Sequence, residues 1–447
     1  MKSQKEYDWP KPGDAPPEID LHSLAKHRVY EEYLQHYIRV LSLNPNITVF
    51  PLVLIDGFSG GGVYTDPRDN SLYPGSPSRL LEAAKAGAAL ANLDREQRRI
   101  RAPLTLQAEF FFIEKKPSNH EYLNWYLSQQ DFAPRFDKDI FLLKGEFTQR
   151  LDGIIQHIEK RGRKRRCLFF LDQYGYKDVP FGKIRAIFSR LPHAEIILTF
   201  STDAAINYIS DSGDDPRWRK PFERIGLPKE RIDKMQEEKQ DNKDWRQLIQ
   251  FGLHQDICLQ SSAKFYTPFF IKSDKSNRSY WLVHLSNHEK ARDVMTELHW
   301  DLKNHFSHYG GPGLWMFGYD PRKDPEIADQ LDLFGKTEYS FDETAKDRTQ
   351  HAILEQLPKL IREFPDGIPY RELYRRVANT TPATLEHIEK IATLLLQAKE
   401  LEARGPNNKR RRSRIEKNDI LHCPRQTTLF GNLGLSGIIR SQYGEKD

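Results

Sequence analysis

At 447 residues, 38% hydrophobic, 29% charged and with a formal net charge of +5, the chain is longer than a usual single domain and calls for two domains with connecting segments. Its cysteines, Cys167, Cys258 and Cys423, are too scattered for a CxxC site and too few for a disulfide framework, so a reducing compartment and no bound metal are expected. No apolar run approaches the roughly 20 residues that span a bilayer and the first thirty lack the apolar core of a signal peptide, which excludes a membrane partner and implies a soluble, cytoplasmic protein.

Residues 1–20 are Pro-rich and read as an irregular arm. From Leu21 to about Leu43, Tyr30, Tyr33, Leu34, Tyr37, Ile38 and Leu41 recur at helical spacing. His22, Lys26 and His27 sit at the start of this helix and read as a solvated or core-edge face. A β-branched and leucine run, Val53 to Ile55, then reads as a buried strand. It breaks at Asp56-Gly57-Phe58-Ser59-Gly60-Gly61-Gly62, where glycines let the backbone turn sharply and offer bare amides to a ligand. Residues 65–73 read as a loop. Ser76 or Ser78 would cap a helix running from Arg79 to about Ala91.

The same arrangement recurs. Phe110–Glu114, Phe141–Glu146 and Cys167–Asp172 are apolar runs ending in a carboxylate, the first two followed by helical patterns over Asn119–Gln129 and Phe147–Glu159, and Glu195–Phe200 is a fifth strand. Strands alternating with helices predict an α/β, doubly wound parallel sheet. All parallel strands end on one edge, so Asp56, Glu114, Glu146 and Asp172 are expected around a common crevice. Residues 211–260 are charged and read as an inserted helical lobe. Lys264–Phe270 and Tyr280–Leu285 look like an antiparallel pair, and a helix from Glu289 to His305 closes a domain spanning 21–320. A polar linker, 321–345, leads to amphipathic helices at Arg348–Phe364, Tyr370–Val377 and Pro382–Glu400. With the basic run Lys409-Arg410-Arg411-Arg412, these make a winged helix-turn-helix over 346–425, followed by a tail, 426–447. Thr380 or Thr381 would cap its third helix, which exposes Thr384, Glu386, His387 and Lys390. That face is not strongly basic, so the arginine run is the better candidate for phosphates. So is the run 160–166, with Arg163, Lys164 and Arg165.

The pattern over roughly 20–320 resembles the class I S-adenosylmethionine-dependent methyltransferases, a Rossmann-like fold. More narrowly, it resembles the three-Cys-motif partner family, TcmP, through Ala25-Lys26-His27, Asp56 to Tyr64, Gly75-Ser76-Pro77, Phe112-Ile113-Glu114, Phe170 to Gly175 and Ala291 to Trp300. The resemblance implies S-adenosylmethionine held by Asp56, Gly57, Gly60, Gly62 and the ribose-binding Glu114, with Glu146 near the adenine. Asp172 and Tyr174 would be the catalytic pair, and the late antiparallel hairpin would finish the sheet. It implies a three-Cys-motif protein as partner and links to mobile elements and phage defence. Two departures stand out, Gly61 and Gln173, where the family usually carries proline; Gln173 lacks the locked φ of that residue. Two other readings remain. One is a catalytically silent scaffold, whose winged helix serves DNA or protein contact. The other is a metal-dependent nuclease built on Asp56, Glu114 and Lys116.

Overall fold

The computed structural model describes residues 7–162, 165–173, 178–200, 219–241, 253, 256–272, 279–302, 305–307, 313–315 and 338–424. Tyr174, Arg163, Lys164 and the tail 426–447 lie outside these residues, as does most of the linker. The chain divides into two units, Met1–Leu298 and His299–Asp447.

The first unit is built on a seven-stranded sheet. Its strands are β1 (Val49–Asp56), β4 (Thr105–Glu114), β5 (Ile140–Lys144), β6 (Arg166–Leu171), β7 (Ala194–Phe200), β8 (Phe265–Lys272) and β9 (Ser279–Ser286), in the order β5-β4-β1-β6-β7-β9-β8. The five strands from β5 to β7 are parallel, whereas β9 runs antiparallel to both β7 and β8. A parallel sheet is buried on both faces, which is why β1, β6 and β7 read as nearly unbroken apolar runs and are buried along most of their length.

Five helices serve these strands: α1 (Leu21–Leu41), α2 (Ser76–Gln97), α3 (Pro117–Ser128), α4 (Phe147–Lys160) and α5 (Phe181–Arg190). Crossovers between parallel strands are right-handed. The path β1–β4–β5 therefore puts α2 and α3 on one face, and the return through β6 and β7 puts α4 and α5 on the other. The direction reverses between β1 and β6, so the crevice of this sheet opens at their carboxyl ends.

Several boundaries differ from expectation. The segment after the glycines forms a short hairpin, β2 (Val63–Thr65) with β3 (Leu72–Pro74). Helix α2 begins at Ser76, with Gly75 in the N-cap position. Strand β5 stops at Lys144, because Gly145 turns the chain with φ +136°. Between the parallel strands and the final hairpin lie α6 (Arg219–Ile225) and α7 (Lys229–Asp241), and after it α8 (Glu289–Asp301).

The second unit contains a short antiparallel pair, β10 (His305–Ser307) with β11 (Glu338–Ser340), then α9 (Glu343–Arg362), α10 (Tyr370–Val377) and α11 (Leu385–Gln397), with a three-stranded antiparallel sheet of β12 (Ile368–Pro369), β13 (Glu402–Arg404) and β14 (Ile420–His422). Ile353, Leu357, Ile361, Leu373, Val377, Ile388, Ile391 and Leu395 fill its core. The cap of α11 is Thr384, whose hydroxyl accepts the His387 amide and which is itself buried. Thr380 and Thr381 instead donate to the carbonyls of Leu314 and Gly313. Only Glu386 and Lys390 of the four expected surface residues are fully exposed.

Candidate functional site

Three strand ends come together at the reversal point. Asp56 ends β1 and is 2% exposed. It accepts hydrogen bonds from the Phe58 amide (3.1 Å) and the Ser76 hydroxyl (2.6 Å), so Ser76 serves this carboxylate instead of capping α2. Burial pushes the Asp56 carboxyl up to about 7, against the pull of those two donors. Glu114 ends β4. One oxygen accepts the Gly60 amide (3.0 Å) and the other the Lys116 amide (2.7 Å).

The glycine loop is braced from within. Gly57 N–H donates to Phe170, Phe58 N–H to Asp56, Ser59 N–H to Ile113 and Gly60 N–H to Glu114. Those amides are therefore spent inside the protein, not bare as the glycine pattern suggests. Gly60 and Gly62 have φ of +59° and +81°, a conformation that glycine adopts freely. A Cβ on Gly61 would lie 2.3 Å from the indole of Trp9. That ring, 4% exposed, covers the loop, and its N–H donates to the Val63 carbonyl at 2.7 Å.

Trp9 belongs to the N-terminal arm, whose described residues, from Tyr7 on, are strapped down at several points. The Trp9 amide donates to Asn119, Tyr122 donates to the Asp14 carbonyl, and the 17–19 backbone pairs with Thr65. Lys116 is taken up by the same arm, reaching Asp8 at 2.6 Å and the Tyr7 carbonyl at 3.2 Å.

Asp172 follows β6. Both its oxygens accept from the Lys26 ammonium, at 2.7 and 2.6 Å. The Lys26 side chain is only 6% exposed, that of Asp172 25%. Burial alone would raise the Asp172 carboxyl, but the Lys26 charge and hydrogen bond outweigh it and hold it below the usual range. Burial, and then the charge of Asp172, keeps the nearby Tyr30 phenol protonated. Lys26 and His27 are thus buried, in keeping with the core-edge member of the two expectations and not the solvated one. The sequence held a signal for this: Lys26 lies four residues before Tyr30 and eleven before Tyr37 on the buried stripe, where an ammonium needs a counterion.

Gln173 is buried, and its carbonyl accepts the amides of Asp178 (3.0 Å) and Val179 (3.1 Å). These two hydrogen bonds fix the side chain, where a proline would instead lock φ. Glu146 is exposed and precedes α4; it is not a strand end. Arg165 points to Glu109, at 3.0 Å. In the second unit Arg411 is spent within the wing, on Asp419 (3.0 Å) and Glu416 (2.7 Å). Arg410 reaches Glu402 at 3.0 Å but stays exposed, as do Lys409 and Arg412.

Among the described residues no three His, Cys, Asp or Glu side chains gather as a metal site, and no helix is long and apolar enough to cross a membrane. Residues 318–408 match the family model of the GMT-like wHTH domain. This agrees with the winged helix seen here and points to nucleic-acid binding. No curated protein matches the chain.

Proposed function

We propose that the chain is a methyltransferase-like protein of the three-Cys-motif partner type that acts on or with nucleic acid, with S-adenosylmethionine held at the Asp56–Glu114 edge. The carrying observation is that the glycine loop is bonded to the carboxylate ending the neighbouring strand, Gly60 to Glu114, at the point where the sheet reverses direction. The antiparallel hairpin after β7 is the finish that the family resemblance calls for. The donor chemistry fits: a carboxylate has about four acceptor sites, so Glu114 can brace the loop and accept ribose hydroxyls together.

When bound, the cofactor's sulfonium supplies a methyl group. Asp172, kept ionised by Lys26, would accept a hydrogen bond from the target nucleophile and orient it, with Tyr174 offering a stacking ring. The winged helix would bring nucleic acid to the protein, in keeping with a role alongside mobile elements or phage. A three-Cys-motif protein is the proposed partner.

Calorimetry with S-adenosylmethionine tests this. Binding should weaken by about 1.5–3 kcal/mol in Glu114→Gln, a change that leaves a carbonyl for the Gly60 amide. No binding to the wild type at millimolar ligand would overturn the cofactor reading. The silent scaffold would then take its place, which the spent loop amides and the closed Lys26–Asp172 pair favour. In the nuclease alternative Lys116 orients a water, but here it holds Asp8.

A further inference from the structure

We propose that the cleft at the opposite, amino-terminal edge of the sheet binds a phosphate ester carrying a flat apolar group, either a free nucleotide or a nucleotide unit of a strand. The cleft exists because β5 starts late. Ile140 pairs with Phe110, so the first residues of β4, from Thr105 to Glu109, have no strand beside them on that side. The gap is a cavity of about 740 Å³, within the range of small-ligand sites, and it is lined from both faces of β4.

The lining divides by chemistry. Half-buried Ala88 of α2 and Leu106 and Ala108 of β4, backed by the buried Leu81, Ala84 and Phe110, give an apolar floor that suits a base. Among the lining side chains Lys85, Arg135, Lys138, Arg161 and Arg165 outnumber Glu109 and Asp139 by three positive charges; Glu82, outside the lining, lies 3.9 Å from Lys85. The two carboxylates act as anchors for the guanidiniums. Asp139 holds Arg135 at 3.0 Å, which also sits 5.4 Å over the Phe110 ring. Glu109, 8% exposed, holds Arg161, Arg165 and His157. An arginine carries five N–H donors, and a carboxylate uses only some of them. The buried Nε of Arg165 has no hydrogen-bond partner. Guanidiniums fixed in place with donors to spare are suited to bidentate phosphate recognition. An extended acidic peptide along the unpaired edge would also meet cations, but it would leave the apolar floor uncovered.

This site draws nothing from the cofactor reading, since Asp56, Glu114 and Asp172 lie at the other ends of the strands. The test uses the full chain with two probes: AMP carrying a fluorescent group on its ribose, and a short labelled single strand of DNA. The strand is measured in a Lys409→Gln, Arg410→Gln, Arg412→Gln background, so that the wing does not mask the result. Lys138→Glu reverses an exposed charge at the rim, and Ala88→Trp fills the floor at constant charge; neither removes an internal ion pair of the cleft. Each should weaken binding about tenfold, as expected for one charge-assisted contact. Weakening with AMP identifies a free nucleotide as sufficient, and weakening with the strand alone identifies a unit of nucleic acid. The proposal is overturned if neither probe binds at submillimolar concentration, or if both variants bind like their parents. It is also overturned if a Glu-rich peptide binds in their place.

Discussion

A buried carboxyl with a pKa of about 7 makes Asp56 the residue whose protonation most directly couples the site to pH. Its unfolded value is near 3.9, so the folded state binds the proton more tightly. The resulting stabilisation is complete below about pH 4 and is lost as pH rises through 7, a difference of roughly 4 kcal/mol by linkage. Asp56→Asn should therefore flatten the fall in urea stability between pH 5 and pH 8; equal falls in both proteins would assign the titration elsewhere. Lys26 and Asp172 pose the opposite case, two charges that stabilise only as a pair. Asp172→Ala strands an ammonium that is 6% exposed and should cost about 3–5 kcal/mol. Joining it to Lys26→Met should recover part of that loss, and a strictly additive double variant would show that the pair is uncoupled. Asp56, Glu114 and Asp172 were legible in sequence because each follows an unbroken apolar run. The pairing of Lys26 with Asp172 was not legible, because a lysine near a helix start is ordinarily a solvated charge.

At the scale of elements, the glycine loop and its covering arm behave as one device. Gly61→Ala places a methyl 2.3 Å from the Trp9 ring, so the ring must leave. Hydrogen exchange over residues 7–20 and 63–65 should rise at least about tenfold, the equivalent of 1.4 kcal/mol of lost protection. The same substitution in a Trp9→Ala background should add little, and a full further loss there would mean that the clash is not the cause. The wing offers a second contrast within one basic run. Arg411 holds the buried Asp419, so Arg411→Gln should lower the unfolding midpoint of the second unit. Lys409, Arg410 and Arg412 are exposed, and their neutralisation should leave that midpoint in place. These distinctions were illegible in a run of four cations, because the pairing of Arg410 with Arg404 and of the Arg411 amide with the Ala403 carbonyl sets how the run lies against β13. The β2–β3 hairpin escaped for a related reason: strands of three residues carry too little periodicity, and the turn between them is rich in Asp and Pro. Glu146 was placed on a strand by its neighbours, until the φ of Gly145 ended β5 first.

For the whole molecule, the two-part plan was the most legible feature. Parallel strands buried on both faces write long apolar runs, and three amphipathic helices before a basic hairpin write a winged helix. Affinity of the full chain for duplex DNA should fall with salt. Neutralising Lys409, Arg410 and Arg412 should reduce the slope of log affinity against log salt by about one unit per lost phosphate contact. Arg411→Gln should leave the slope unchanged where the second unit is still folded. A slope unchanged by the triple variant would remove the wing from the interface. What no local pattern could announce was the docking of the arm over the glycine loop, since the hydrogen bonds that fasten Trp9 reach far along the chain.

That separation has a consequence for how the protein is made. Trp9 is synthesised 110 residues ahead of Asn119, which binds its amide. At roughly 5–20 residues per second the interval lasts of the order of ten seconds. Throughout it the arm lacks that fastening and the one to Tyr122, although the seat of the indole, at Gly61 and the Val63 carbonyl, is complete midway. A ribosome stalled before Asn119 therefore holds a nascent chain whose tryptophan can meet its loop but whose arm is not yet tied to α3.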